Sequence, residues 1–354
     1  MGKILKKKSD VEEITQHANK KKESTPKDKG LLIPSGSRML NLACSDTSNG
    51  AFQLGKIVNL IGDSSSGKTL LALSMLSEVA NRPEFDEYDL ILDDAEEALS
   101  FDIKELFGSV LDERVNLSIT SNTIEDYYGN VLRAIKKGQP FIYVLDSFDS
   151  ITADEEIKRS KEYENNKAEK SGSYKTEKAR MSSEILRVIK GGMKETNSLL
   201  FIISQTRDNI GFGAMFTPKV RTGGRALKFY CSHEIWLAVG KKHKKKGLEV
   251  GADVMSKVSK NKLTGKKREI QFPIYYDYGV DDLVSCVDFL IEQKVWTKSG
   301  SKITTNDLFP ESTIAKLIST IEDEDREQEV LDLASETWLD REDAVKLRRK
   351  KKFA

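Results

Sequence analysis

The chain has 354 residues and a formal net charge of +1, with 57 lysines and arginines against 56 acids. That length carries one large core domain and a smaller appendage, and the near-neutral balance means that any nucleic-acid footprint must be local. Three scattered cysteines exclude a disulfide frame and read as reduced thiols of a cytoplasmic protein; three histidines exclude a multi-histidine metal site, and no apolar run approaches the length of a membrane span.

Residues 1–30 are lysine-rich and polar and read as a flexible basic arm, and MGKILKKKSDVEE lacks the apolar stretch of a signal peptide. Across the core, residues 31–280, apolar runs alternate with helical segments: KIVNLIG (56–62), then TLLALSMLSEVAN; YDLILDD (88–94); a helix around 123–137; FIYVLDS (141–147); a helix around 178–195; and LLFIISQ (199–205). Nearly continuous apolar strands separated by helices predict an α/β core whose mostly parallel sheet is covered on both faces. After residue 229, FYCSHEIWLAVG, DVMSKVSKNK and REIQFPIYY read as a late extension of successive antiparallel strands. Residues 281–354 form a small, mainly helical C-terminal α/β domain that closes on the basic run KLRRKKKFA. The segment 155–178 has almost no apolar residues and reads as a mobile loop inside the core.

The strongest local signal is Gly62-Asp63-Ser64-Ser65-Ser66-Gly67-Lys68-Thr69, which fits G-x-x-x-x-G-K-[ST] between an apolar strand and a helix. Backbone N–H groups and the helix N-terminus suit phosphate oxygens, Lys68 suits the β- and γ-phosphates of ATP, and the Thr69 hydroxyl suits Mg2+. Asp146 ends the apolar strand FIYVLD, where a carboxylate is costly unless it serves a cation or a hydrogen-bond network; beside a P-loop it is a second metal residue. Hydrolysis also needs a group to position water. The cluster Asp93-Asp94-Ala95-Glu96-Glu97 follows a strand, as such groups do, and spacing leaves all four acids open.

Residues 206–225 combine glycines, Phe212 and Phe216 with Arg207, Arg221 and Arg225, a composition suited to phosphate contacts and base insertion in DNA. Arg180, Ser183 and Arg187 share a helical face. The run Lys241–Lys246 falls at a hairpin turn and reads as a solvated turn or an auxiliary duplex contact; Tyr275, Tyr276 and Tyr278 read as core in preference to flanking an adenine.

In order, IPSGSRMLNLA, GKIVNLIGDSSSGKT, LDDAEEAL, YVLDS, ARMSSEILR, LLFIISQTRDNIG, TGGRALKFY, KVSKNK, FPIYYDYGV and LIEQKVWTKSGSKI resemble the segments of bacterial RecA, over residues 33–305. TGGRALKFY is near-identical and KNK follows it in the correct order. The resemblance implies a RecA-type P-loop NTPase core. It also implies a DNA-dependent ATPase that forms helical filaments on single-stranded DNA and exchanges strands with a homologous duplex in recombination and repair. Mediator or single-strand-binding proteins would be further partners. By position it makes Glu96 the residue that activates water and Gln205 the γ-phosphate sensor. DNA loops fall near 156–178, running into Arg180, Ser183 and Arg187, and at 206–225, ending in Gly223-Gly224 and Arg225. Lys260 and Lys262 reach the nucleotide of the adjacent protomer, with Lys228 near the same interface.

Four departures from the family pattern stand out. The first loop is longer and more charged, Glu97 replaces a histidine, Asp63 replaces a proline, and the acidic tail is replaced by RRKKK. This divergence points to a phage-encoded member. A hexameric helicase or KaiC-like ATPase on the same core lacks the TGG-x-ALKFY and KNK combination. A non-catalytic recombination mediator requires a broken site, whereas Lys68, Thr69, Glu96, Asp146 and Gln205 are all present.

Overall fold

A computed structural model describes residues 30–154, 174–208, 219–221 and 224–350. The basic arm up to residue 29 and most of the charged segment 155–178 therefore lie outside the described residues. The chain runs β1 (Leu32–Ile33), α1 (Arg38–Ser45), β2 (Phe52–Gln53), β3 (Lys56–Gly62), α2 (Lys68–Ala80), β4 (Asp89–Asp94), α3 (Ile103–Phe107), α4 (Ser109–Arg114), β5 (Val115–Asn116), α5 (Ile124–Lys137) and β6 (Phe141–Asp146). It continues through α6 (Tyr174–Glu195), β7 (Leu199–Asp208), β8 (Lys219–Arg221), α7 (Gly224–Tyr230), β9 (His233–Lys245), β10 (Leu248–Asn261), β11 (Glu269–Tyr275) and β12 (Gly279–Val280). The last elements are α8 (Asp282–Glu292), β13 (Thr297–Ser299), β14 (Lys302–Thr304), β15 (Ser312–Thr313), α9 (Ile314–Asp323) and α10 (Glu327–Ala344).

Among the described residues the main sheet has the order β12-β11-β10-β9-β3-β7-β6-β4-β5, with β8 hydrogen-bonded to β7. From β9 to β5 the neighbours are parallel, and from β9 outward to β12 they are antiparallel. The apolar runs explain this: alternate side chains of each central strand feed two different cores. Val58 and Leu60 of β3, Ile142 and Val144 of β6, and Phe201 and Ile203 of β7 pack on one face. Ile57, Tyr143, Leu145, Leu200 and Ile202 pack on the other. Helix α5 shows the local rules in full. Thr123 and Asp126 form a reciprocal capping box at its start, Lys136 and Lys137 sit in its last turn, and Gly138 closes it at φ 78°.

Three element predictions are corrected. Phe229 and Tyr230, read as the opening of a strand, end helix α7, and the strand begins at His233. The segment 206–225 is not loop throughout: β7 runs on to Asp208 and β8 pairs back on it, with Thr206 opposite Arg221 and Asp208 opposite Lys219. Helix α6 likewise starts at Tyr174, inside the stretch read as loop.

Leu32–Ala354 is one compact unit. Phe289, Trp296, Leu317 and Trp338 from beyond residue 281 belong to the same apolar cluster as Leu71 and Leu76 of α2. Near the end of α10, the buried Glu342 accepts hydrogen bonds from Arg268 Nε and Nη2, each at 2.6 Å, and from Lys266 Nζ at 2.7 Å. Lys266 also donates to Asp46 at 2.8 Å. The Arg268 guanidinium, with Lys266 beside it, holds the Glu342 carboxyl down to about 2 against an ordinary value of 4.5. A lowered carboxylate stabilises the fold fully above its unfolded pKa, and the contribution is lost as pH falls from about 4.5 towards 2. Glu342→Ala should therefore lower unfolding stability at pH 7 by about 2 kcal/mol. In denaturant titrations the gap to the unsubstituted chain should close in acid; a gap that stays constant down to pH 3 refutes this assignment.

Cys44, Cys231 and Cys286 are buried free thiols. No helix among the described residues is long and apolar enough to cross a membrane.

Candidate nucleotide-binding and catalytic site

The site forms at the carboxyl ends of adjacent strands, because the sheet order places β3, β7, β6 and β4 side by side. Gly62 of β3 is opposite Gln205 of β7, and Asp94 of β4 is opposite Asp146 of β6. The loop from Gly62 to α2 turns through left-handed backbone at Ser65 (φ 59°) and Gly67 (φ 82°). A Cβ on Gly67 would lie 2.5 Å from Ile274 Cδ1 on left-handed backbone, which requires glycine, and one on Gly62 would lie 2.3 Å from Ser66 Oγ and 3.0 Å from the Leu237 carbonyl oxygen. Gly67 caps α2 without a side-chain hydrogen bond, which leaves the first-turn N–H groups facing the loop. The buried Ser66 hydroxyl makes no hydrogen bond among the described residues. This cradle of N–H donors and an unspent hydroxyl fits a phosphate chain.

Lys68 is 8% exposed, and its ammonium donates to the Asp63 carbonyl at 2.6 Å. Burial pushes its pKa below the ordinary lysine value, and the nearby carboxylates of Asp146 and Glu96 oppose that shift. Thr69 Oγ1 donates to Asp146 Oδ2 at 2.6 Å. Burial pushes the Asp146 carboxyl up to about 6. That cost is of the kind a cation offsets, and a hydroxyl and a carboxylate side by side are hard oxygen donors that fit Mg2+.

The acid cluster separates by direction. Asp93 is fully buried and accepts from Ser121 N at 2.8 Å, Ser121 Oγ at 2.6 Å and Tyr143 Oη at 2.5 Å, so it braces the sheet. Asp94 accepts from the Leu99 N–H at 2.9 Å and shapes the following turn, while Glu97 occupies left-handed backbone at φ 51°. Glu96 alone of the four joins the end of β7: its Oε1 accepts from Gln205 Nε2 at 2.8 Å and from Ser147 Oγ at 2.6 Å. The Gln205 N–H in turn donates to Asp149 Oδ2 at 2.6 Å.

A cavity of about 500 Å3 joins the P-loop residues Ser64–Thr69 to Glu96, Asp146 and Gln205, and extends over Phe101, Val254, Ile274 and Tyr276. Tyr276 is 52% exposed and lines this cavity, which corrects its reading as core; Tyr278 is 60% exposed. Lys242 also lines it. A register irregularity between β9 and β10, where Val239 faces Val254 but Lys242 faces Ala252, returns Lys242 to the face that Val239 occupies. Lys242 donates to Glu249 at 2.8 Å and so does Tyr276, at 2.5 Å. Sequence reasoning missed Asp149 and Glu249, since each depends on pairings between distant segments.

A model of the RecA N-terminal domain matches residues 12–281. The chain is 32% identical over 274 residues to protein RecA of Aquifex pyrophilus and 31% identical over 274 residues to that of Aquifex aeolicus, covering 76% of this chain and 72% of each relative. It is 29% identical over 270 residues to protein RecA of Geobacter metallireducens, covering 76% of this chain and 74% of that protein. The chain belongs to the RecA family.

The residues that the resemblance assigns to DNA are placed in part. On α6, Ser183 is half-buried and Arg187 exposed, whereas the Arg180 side chain lies outside the described residues. Arg207 is exposed on β7. Gly223 and the side chains of Arg221 and Arg225 lie outside the described residues, and Gly224 opens α7. Lys262 is exposed and Lys260 half-buried, because both serve the carboxyl end of α7. Lys260 donates to the carbonyls of Lys228 and Phe229, and Lys262 donates to that of Phe229 at 3.2 Å. Lys228 is exposed beside them. Asn261 is opposite His233, which is opposite Val58. The KNK lysines thus lie level with the start of β3, about 13 Å of strand from Gly62, and the fold does not bring them to their own P-loop.

Proposed function

We propose that this chain is an ATP-dependent homologous recombination and DNA repair protein of the cytoplasm. It forms helical filaments on single-stranded DNA, pairs that strand with homologous duplex, exchanges strands, and hydrolyses ATP when DNA is bound. One observation carries the reading: Lys68, Thr69, Asp146, Glu96 and Gln205 converge on one cavity at the carboxyl ends of β3, β6, β4 and β7. In this reading Lys68 and the α2 N-terminus hold the phosphates. Thr69 and Asp146 hold Mg2+, which screens phosphate charge. Glu96, kept in place by Ser147 and Gln205, orients and deprotonates the attacking water. Tyr276 offers an aromatic face in the same cavity, suited to a nucleobase.

Gln205 links this chemistry to DNA. It touches Glu96 through its side chain, and its strand continues directly into Thr206 and Arg207 at the stem of the second DNA loop. The lysines Lys260 and Lys262, remote from their own P-loop, act on the nucleotide of the next protomer, with Lys228 at the same junction.

The test is strand exchange between circular single-stranded and linear duplex DNA with ATP and Mg2+, alongside binding to single strands across a salt series. Arg187→Ala and Arg225→Ala should each flatten the slope of log affinity against log salt by about 0.7 for every phosphate contact removed. Salt-independent binding, or joint-molecule formation that needs no ATP, overturns the proposal.

A further inference from the structure

We propose that Lys219 is a second phosphate-directed cation of the nucleotide site, delivered on the β7–β8 stem and held for that role by Asp63. The inference rests on the reading of Gly62–Thr69 as a triphosphate site. Asp63 is the second residue of the P-loop motif, and its two ends hold two different ammonium groups. Its carbonyl accepts from Lys68 at 2.6 Å, and its carboxylate is ion-paired with Lys219. The other carboxylate oxygen accepts from Thr206 Oγ1.

The topology makes this contact possible. β7 pairs with β3 up to Gln205 opposite Gly62, so Thr206 extends one residue past the strand and meets the loop that starts there. β8 folds back antiparallel on β7, which returns Lys219 to the same end of the sheet. Consecutive side chains at the end of β7 therefore go to the two halves of the site, Gln205 to Glu96 and Thr206 to Asp63.

The Lys219–Asp63 pair is open to water, with side chains 48% and 43% exposed. Exposed pairs contribute little to stability, so this one does not hold the fold together and is readily exchanged. Asp63 holds Lys219 on its carboxylate and Lys68 on its carbonyl, and a γ-phosphate bound to Lys68 is a stronger acceptor than that carboxylate. Lys219 then moves from carboxylate to phosphate, and the stem that flanks residues 209–218 follows. A diphosphate supplies no such acceptor and leaves Lys219 with Asp63. The assignment makes Lys219 a discriminator between triphosphate and diphosphate at the root of the second DNA loop.

Calorimetry on the full chain with Mg2+ and either ATPγS or ADP tests it. Lys219→Met should weaken ATPγS binding by about tenfold or more, the value of one charge-assisted hydrogen bond, and leave ADP binding unchanged. Lys219→Arg should keep most of the discrimination, and Asp63→Asn should tighten ATPγS selectively by removing the competitor. An unchanged ATPγS-to-ADP ratio in Lys219→Met, or equal weakening of both nucleotides, overturns the assignment while leaving the P-loop reading intact. Failure of the unsubstituted chain to bind either nucleotide overturns the P-loop reading and this inference with it.

Discussion

Replacing Lys68 by alanine should abolish ATP hydrolysis and weaken nucleotide binding by about ten- to a hundredfold. The ammonium is nearly buried at the start of α2, and burial already disfavours its charged form. Asp146 and Glu96 oppose that penalty only partly, so the group is poised for a phosphate anion. A hydrogen bond to a charged group is worth about 1.5–3 kcal/mol, and the loss grows in the transition state, where charge on the transferred phosphoryl group shifts. Turnover should fall below detection while circular dichroism shows a folded chain. Wild-type turnover would remove the basis for the site. The same variant also tests the shared site. Lys262→Ala keeps an intact P-loop but cannot complete its neighbour's. Mixed on single-stranded DNA, the two inactive chains should recover part of the hydrolysis, since some junctions pair a good P-loop with a good lysine. No recovery at any mixing ratio, with both chains shown to share filaments, rules out completion by Lys262.

Glu96→Gln should slow hydrolysis by about a hundredfold or more, the usual contribution of a positioned general base, while ATP binding persists and DNA filaments become longer-lived. The amide keeps the shape of the side chain and can still meet Ser147. It cannot take a proton from water. Glu97→Gln should be close to normal, since Glu97 sits in a left-handed turn and it is Glu96 that accepts from Gln205. Single-turnover kinetics separate the two effects; if Glu97→Gln carries the loss instead, the choice among the acids is wrong. Asp93→Asn is a useful contrast, because its cost should appear in stability through Ser121 and Tyr143 and not in the binding of nucleotide.

Some of this was legible in the residues and some was not, for physical reasons. The P-loop is a contiguous pattern in which glycines and lysine act within one turn, so eight positions state both geometry and chemistry. The parallel sheet was legible because strands covered on both faces need apolar side chains at every position, as in Phe141–Leu145. The acids at 93–97 could not be ranked by spacing alone: where the strand stops and how the chain turns decides which one meets Gln205. The helix at Gly224–Tyr230 ends in aromatic residues that favour strands, and what ends it is a pair of lysines more than thirty residues later. Tyr276 and Glu249 reach the cavity only through the pairing of β10 with β9 and β11, which no short window contains.

The Glu342 clamp has a practical corollary for shortening the molecule. Helix α10 is bolted to the β10–β11 connection at its final turn by Arg268 and Lys266, only a few residues before the basic run begins. A stop codon after Val345 removes Lys346, Arg348, Arg349 and the following lysines yet spares every contact of the clamp, so it isolates the charge of the tail as a single variable. A stop codon five residues earlier deletes Glu342 as well and leaves Arg268 without its carboxylate. The window between a clean tail deletion and a destabilised protein is therefore about one helical turn, and any effect of the basic end on DNA binding should be measured on the chain that stops after Val345.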